Sequence, residues 1–409
     1  MNAGIRFKLS FMMFLEFFVW GGWFVTLGTF LSQNLQASGP ETANVFSTQS
    51  WGAIIAPFII GLIADRYFNA ERILGVLHIV GAILMYQMYT APDVSVFFPY
   101  ALGYMIIYMP TLALVNSISF RQMDNPEKNF SAIRVWGTIG WIAAGLAISY
   151  IFQWDSQPGS LKYTFLMAGV GSLILGLFSF ILPKTPPIKK NSEEKSTISE
   201  ILGLDAMKLL KDRNFLIFFI SSILICIPLA FYYQNANLFL NEIGMENPTG
   251  KMTIGQISEA LFLLLLPLFF TKFGFKKTIL IGMLAWVIRY VLFAYGNVNE
   301  LSYMLIIGIA LHGVCYDFFF VSGQIYTDSK AGEKYKSSAQ GLITLATYGI
   351  GQLIGFQVAG IVSEHYQGLA TAEFWHSVWL IPAAIAGAVF LIFLISFRNE
   401  KTEAPVLEQ

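Results

Sequence analysis

An all-α membrane protein, twelve transmembrane helices in two pseudo-symmetric six-helix halves, is the fold class that three features of the sequence predict. Composition is the first: of 409 residues, 56% are hydrophobic and 12% charged, half the charge of a soluble domain at about 25%. Mean hydropathy is correspondingly high, at +0.61. The second is period: apolar runs of about 20 residues, the length a helix needs to cross a bilayer, recur on each side of one long charged interruption. The third is the placement of the basic residues, which alternates from one connecting segment to the next. Formal net charge is zero, so no bulk basic field points to nucleic acid.

The runs fall at roughly 8–32, 46–64, 73–91, 96–118, 131–153 and 163–183, then 214–240, 253–271, 278–296, 301–323, 339–363 and 375–397. The first is a retained span, because its apolar stretch exceeds a signal-peptide core and no small-residue cleavage site follows it. The interruption "KTPPIKKNSEEKSTISEILGLDAMKLLKDRN" suits a solvated linker with one short amphipathic helix near Ile201 to Leu210. The domain plan is 1–183, the N-terminal half; 184–213, a cytosolic linker; 214–397, the C-terminal half; and 398–409, a cytosolic tail.

Arg6, Lys8, Arg66, Arg72, Arg121, Lys128, the linker's basic residues, Lys272, Lys276, Lys277, Lys330, Lys334, Lys336, Arg398 and Lys401 fall on one side of this topology. Only Lys162 and Lys251 fall on the other. The positive-inside rule therefore puts both termini in the cytosol. Cys226 and Cys315 lie in apolar runs and read as buried small hydrophobes, neither a redox pair nor metal ligands.

The halves echo each other: "APFIIGLIADRYFNAERILG" (56–75) and "LPLFFTKFGFKKTILIG" (266–282) both run from an apolar span through a short basic turn to another apolar span. A repeated six-span unit is the mark of a duplicated transporter, with its site near the midplane. Within the first echo, "GLIADRYFNAER" resembles the loop between the second and third spans of the major facilitator superfamily, where charges latch neighbouring helix ends. Gly61, Asp65, Arg66 and Arg72 match that pattern. Phe68 and Asn69 stand where it has Gly and Arg, which weakens the latch.

Five ionisable groups sit inside spans: Glu16, Arg134, Glu259, Arg289 and Asp317. Facing lipid, each would cost about 2.5–3.5 kcal/mol at a helix centre, so they must face a cavity or one another. Arg134 and Asp317 both lie within roughly two turns, about 5–9 Å, of the cytosolic ends of their spans. An ion pair between them would open on protonation of Asp317, and proton coupling requires such a toggling carboxylate. A static pair that merely locks helices is the alternative. Gln256 and Glu259, one turn apart on the eighth span, and Gln234 and Asn237, three apart on the seventh, bring amides and a carboxylate to similar depth. That mixture of donors and acceptors fits a nucleobase on ribose, or a sugar, while interhelical hydrogen bonding is the plainer use.

Trp20, Trp23, Trp141, Tyr232, Tyr233 and Phe318 could offer flat faces to a base. Glu16 is a second candidate proton carrier, or a hydroxyl acceptor. For Arg289 a structural partner such as Glu259 is expected, and His78 and His312 are expected to be neutral hydrogen-bonding residues. Glycines at 137, 140 and 145, and at 349, 351, 355 and 360, mark close helix contacts in the fifth and eleventh spans. No Walker loop, dinucleotide fingerprint, metal-ligand spacing or nucleophile elbow occurs, so no enzymatic activity is expected.

Several stretches in order, "LEFFVWGGWFVTLGTFL" (15–31), "YMPTLALVNSISF" (108–120), "IRVWGTIGW" (133–141), "GQISEALF" (255–262), "WVIRYVLFAYG" (286–296) and "YDFFFVSG" (316–323), resemble the nucleoside:proton symporter family of that superfamily. The resemblance implies proton-driven nucleoside uptake through a rocking twelve-helix body. It implies substrate-binding roles for Arg134, Thr138, Gln234, Asn237, Gln256 and Glu259, and a proton-coupling role for Asp317. Tyr316 and Phe318 flank that site, and Trp141 stands where the family has an aromatic ring. Glu16 stands where the family has an uncharged polar residue such as Gln, which leaves the carrier open between Glu16 and Asp317. The expected partners are a nucleoside, the proton as coupling ion and the bilayer of the cytoplasmic membrane, with no cofactor, metal or nucleic acid, and a monomer is expected. A sugar or oligosaccharide symporter and a non-transporting nucleoside receptor remain as alternatives.

Overall fold

The structure, a computed structural model, describes residues 2–59, 68–123, 126–186 and 204–398. Among these every regular element is helical and none is a strand, as a bilayer requires of a chain that must satisfy its backbone within each segment. Contacts divide the chain into two compact units, Met1–Ser196 with Glu246–Thr253, and Thr197–Met245 with Ile254–Gln409.

The first unit is built from α1 (Ala3–Phe24), its continuation α2 (Leu27–Gln33), α3 (Gly39–Ile59), α4 (Ala70–Thr90), α5 (Val94–Arg121), α6 (Pro126–Leu146) and α7 (Tyr163–Ser179). Side chains supply the caps: Asn2 accepts from the Gly4 N–H at 2.9 Å, and Asp93 from the Val96 N–H at 3.0 Å. Each satisfies one of the amides that a helix start leaves without a partner. Contacts with the Ser95 hydroxyl and the Val96 amide hold the exposed Asp93 carboxyl below its usual range.

In the first unit α1 packs on α6 and α7, and α4 on α5 and α7. The α1–α6 contact is close because Gly140 lies directly on the Phe14 carbonyl, where an added Cβ would be 3.0 Å from the carbonyl carbon and 3.1 Å from the Phe18 nitrogen. Gly140→Ala should therefore destabilise the protein by about 1–3 kcal/mol through overpacking. Thermal unfolding in detergent checks this, and an unchanged midpoint would contradict the packing described.

The second unit holds α8 (Arg213–Glu242), most of α9 (Pro248–Tyr295), α10 (Ser302–Ala310), α11 (His312–Tyr316), α12 (Ser322–Thr344), α13 (Gln352–His365) and α14 (Thr371–Ser396). Among the described residues, ten stretches are long and apolar enough to cross a membrane. One of them, α9, has 48 residues, more than twice the roughly 20 that a crossing needs, and it breaks at Gly274, φ 73°. Gly332, φ 61°, interrupts α12 in the same way. A left-handed backbone at these two points is open to glycine at little cost.

Single π-helical turns interrupt the rods at Ala147–Ile151, Asp317–Val321 and Leu345–Gly351. The first and third fall in the fifth and eleventh spans, where the sequence places its glycine clusters. The expected linker helix differs from expectation: its described part, Leu204–Lys211, is a 3-10 helix. Ala206 is buried there against Ala331, Ala339 and Leu342. Of the latch residues, Gly61, Asp65 and Arg66 lie outside the described residues, and Arg72 is exposed in the first turn of α4.

Asp212 caps α8, accepting from the Phe215 N–H at 2.8 Å and from Lys330 Nζ at 3.2 Å. Partial burial raises its carboxyl, but the amide and Lys330 outweigh burial and the net shift is downward. A depressed carboxylate contributes stability above its unfolded pKa, near 4, and loses it as pH falls through the folded value. Asp212→Ala should cost about 1 kcal/mol at neutral pH, with the difference from wild type shrinking below about pH 4. Unfolding midpoints at pH 7 and pH 3.5 check the sign.

The start of α9 belongs to the first unit. Asp155 accepts from the Thr249 N–H at 3.2 Å and from the Ser149 hydroxyl, and Ser149 Oγ accepts from the Gly250 N–H at 2.7 Å. A carboxylate against the first amides of a helix suits its positive end.

Candidate functional site

In the second unit, the lipid face of α9 is fixed by Ile257, Leu261, Leu264 and Leu268, all exposed at spacings of four, three and four. That stripe turns Glu259 to the opposite side, and its side chain keeps 29% exposure. Close packing brings this side to α11, since a Cβ on Gly313 would sit 2.5 Å from the Glu259 nitrogen, and Ser258 Oγ donates to the Ala310 carbonyl. The result puts His312 Nε2 3.8 Å from Glu259 Oε2. On its other side His312 Nδ1 is 3.1 Å from Arg289 Nη1. His312 thus stands between the Arg289 guanidinium and the Glu259 carboxylate.

Arg289 is fully buried, with Cζ 3.5 Å from the centroid of the Tyr232 ring. Tyr232 also lies against the His312 ring, with centroids 5.3 Å apart and planes 25° apart, so this ring has protein neighbours rather than a free face for a base.

Asp317 opens the π turn after α11 and is 1% exposed, yet among the described residues its Oδ2 has no hydrogen-bond partner. Glu259 is close enough to interact with it electrostatically. Tyr316 donates to or accepts from Tyr348 at 2.7 Å, and Phe318 is packed at 4.6 Å on Phe269 and at 5.8 Å on Phe262. On α8, Gln234, Asn235 and Asn237 are all buried, and Gln234 Oε1 and Asn235 Nδ2 lack hydrogen-bond partners among the described residues. Gln256 is half-buried on α9. More than nine in ten buried polar groups are ordinarily hydrogen-bonded, so atoms of Asp317, Gln234 and Asn235 in one unit are placed to take partners from outside the protein.

The first unit holds a separate set. Arg134, Thr138 and Trp141 share one face of α6, half-buried, with the Arg134 guanidinium 4.1 Å from the centroid of the Phe17 ring. Trp141 packs on Gly21 and meets Trp20 edge-on at 5.5 Å. Trp23 is fully buried against Tyr104 and Phe165 and offers no free face. Glu16 is fully buried too: Oε2 is 2.9 Å from His78 Nε2, and Oε1 accepts from the Thr111 hydroxyl at 2.6 Å. His78 Nδ1 is 2.9 Å from Ser172 Oγ, which itself donates to the His78 carbonyl at 2.9 Å. A hydroxyl has one proton, so Ser172 accepts at Nδ1, and a single proton lies between His78 Nε2 and Glu16.

Sequence reasoning missed both carboxylate–histidine pairs, Glu16 with His78 and Glu259 with His312, and it missed Asn235. The partners are 62 residues apart in one pair and 53 in the other, and no helical spacing relates them. Asn235 was legible as an amide in an apolar run, between Gln234 and Asn237.

The sequence model described as nucleoside H+ symporter matches residues 3–402. The chain belongs to the nucleoside H+ symporter family. It is 43% identical to YegT of Escherichia coli (strain K12), over 98% of this chain and 96% of that one. It is 31% identical to the nucleoside permease NupG of the same organism, over 98% of each chain. A crystal structure of the nucleoside transporter NupG superposes with a TM-score of 0.86 at 30% identity, covering 98% of this chain and all of that one. The family chain is a membrane-spanning, proton-coupled transporter with the major facilitator fold.

Proposed function

We propose that the chain takes nucleosides up with protons across the cytoplasmic membrane by alternating access, as a monomer with both termini cytosolic and without enzymatic chemistry. Asp317 is the observation that carries this reading: a nearly fully buried carboxylate with an oxygen lacking a hydrogen-bond partner among the described residues, at a π turn, within electrostatic range of Glu259. π turns concentrate at functional sites, and an intramembrane carboxylate without a partner is suited to exchanging a proton. Gln234, Asn237, Gln256 and Glu259 bind the base or ribose, beside Tyr316 and Phe318, and Arg134, Thr138 and Trp141 are substrate-binding residues of the first half.

Between the two candidate carriers, Asp317 is favoured over Glu16. Both oxygens of Glu16 are occupied, by His78 and Thr111, in a fully buried network. Gly61, Asp65, Arg66 and Arg72 serve as the conformational latch. The same polar groups could suit a sugar, but the nucleoside permease NupG matches at 31% identity, whereas a maltose permease and a sucrose permease match at 22%.

Uptake of labelled uridine by cells lacking nucleoside transport tests the reading. Expression of the chain should give accumulation that a protonophore removes. Binding with no uptake would favour a receptor, and uptake of disaccharide instead of uridine would overturn the substrate class.

A further inference from the structure

Arg289 and His312 form a pair whose protonation is dictated by donor chemistry. A guanidinium carries only donors, and Arg289 Nη1 stands 3.1 Å from His312 Nδ1. Nδ1 must therefore be the acceptor, with its lone pair facing the cation. A neutral imidazole has one ring proton, so the proton is on Nε2. That nitrogen faces Glu259 Oε2 at 3.8 Å, beyond hydrogen-bond length, with its N–H a donor beside the carboxylate. Protonating Nδ1 as well would set an N–H against the guanidinium at hydrogen-bond distance, two like charges in a buried site.

We propose that Arg289 is a positioning residue: by donating to Nδ1 it holds His312 as an uncharged Nε2–H donor aimed at the Glu259 carboxylate. The ring is kept in place by more than this bond. Tyr232 of α8 stacks on it, Tyr316 lies one turn on along its own helix at 5.8 Å between ring centroids, and a Cβ on Gly255 would meet the His312 Cβ at 3.2 Å. The ionisable groups facing it from the surrounding helices are Arg289 and Glu259 of α9, Tyr232 of α8, and Cys315 and Tyr316 beside it in the chain. Arg289 is the cation among them. Its donor bond therefore leaves the single ring proton on Nε2, facing Glu259.

His78 provides the internal contrast. Its Nδ1 faces a serine, not a cation, and its Nε2 a carboxylate. The chain has four histidines, few enough for selective labelling.

The role of Glu259 as a ligand group rests on the proposed function, but the tautomer of His312 does not. Full-length protein labelled with 15N-histidine in lipid vesicles should give, for the resonance pair lost in His312→Gln, an unprotonated Nδ1 and a protonated Nε2 from pH 8 down to pH 5.5. In Arg289→Met the same ring should gain its second proton within that window. A wild-type His312 that carries a proton on Nδ1, or that becomes imidazolium by pH 6, would overturn the proposal. So would an Arg289→Met ring that stays neutral throughout. If Arg289→Met does not fold, the wild-type spectrum alone decides. Uridine binding measured on the same samples separates the two claims, since loss of nucleoside binding in wild type would sink the substrate reading and leave the tautomer result standing.

Discussion

Asp317→Asn is expected to abolish uphill nucleoside accumulation while retaining exchange of labelled for unlabelled nucleoside. One proton moving down 100 mV provides about 2.3 kcal/mol, enough for roughly 50-fold accumulation. Asn keeps the size of Asp317 and one acceptor oxygen but cannot take up and release the proton, so the gradient should collapse to the outside concentration. Burial decides this: Asp317 is 1% exposed with an oxygen lacking a hydrogen-bond partner among the described residues, and a charge on such a group in a low-dielectric site is expensive unless it is paired or neutralised by a proton. Accumulation at steady state and exchange at equilibrium, measured on one preparation, check the two halves of the prediction. Accumulation as high as wild type would remove Asp317 from the mechanism.

Glu16→Ala should destabilise the protein by about 3–5 kcal/mol, the cost of taking one partner from a buried pair, whereas Glu16→Gln should keep accumulation near wild type. Alanine leaves His78 Nε2 and the Thr111 hydroxyl without Glu16, in a site with no exposure. Glutamine retains an acceptor for one and a donor for the other. Thermal unfolding in detergent reads the first effect and protonophore-sensitive uptake the second. Loss of proton-driven uptake in a stable Glu16→Gln protein would move the carrier role to Glu16.

The spans and the family were legible in the sequence because lipid imposes length and apolarity on every crossing helix. The same logic marked Glu16, Arg134, Glu259, Arg289 and Asp317, since a charge in an apolar run has to be housed by the protein. Their partners were not legible. Glu16 meets His78, and Arg289 meets His312, because helix packing at glycines such as Gly313 sets which faces touch, and that register has no period in the sequence. Aromatic side chains carried still less information: Trp23 and Phe318 are packed within the protein, while Trp141 sits on Gly21, though all three read alike as rings in apolar runs. The π turn that presents Asp317 also had no signal, since "YDFFFVSG" reads as ordinary helix.

Proton movement driven by the substrate alone tests the central claim most directly. Uridine added to lightly buffered, de-energised vesicles containing the purified protein should make the outside medium more alkaline, with one or more protons entering per nucleoside and no such change in Asp317→Asn vesicles. Uridine entry with no change in external pH would contradict proton coupling through this site.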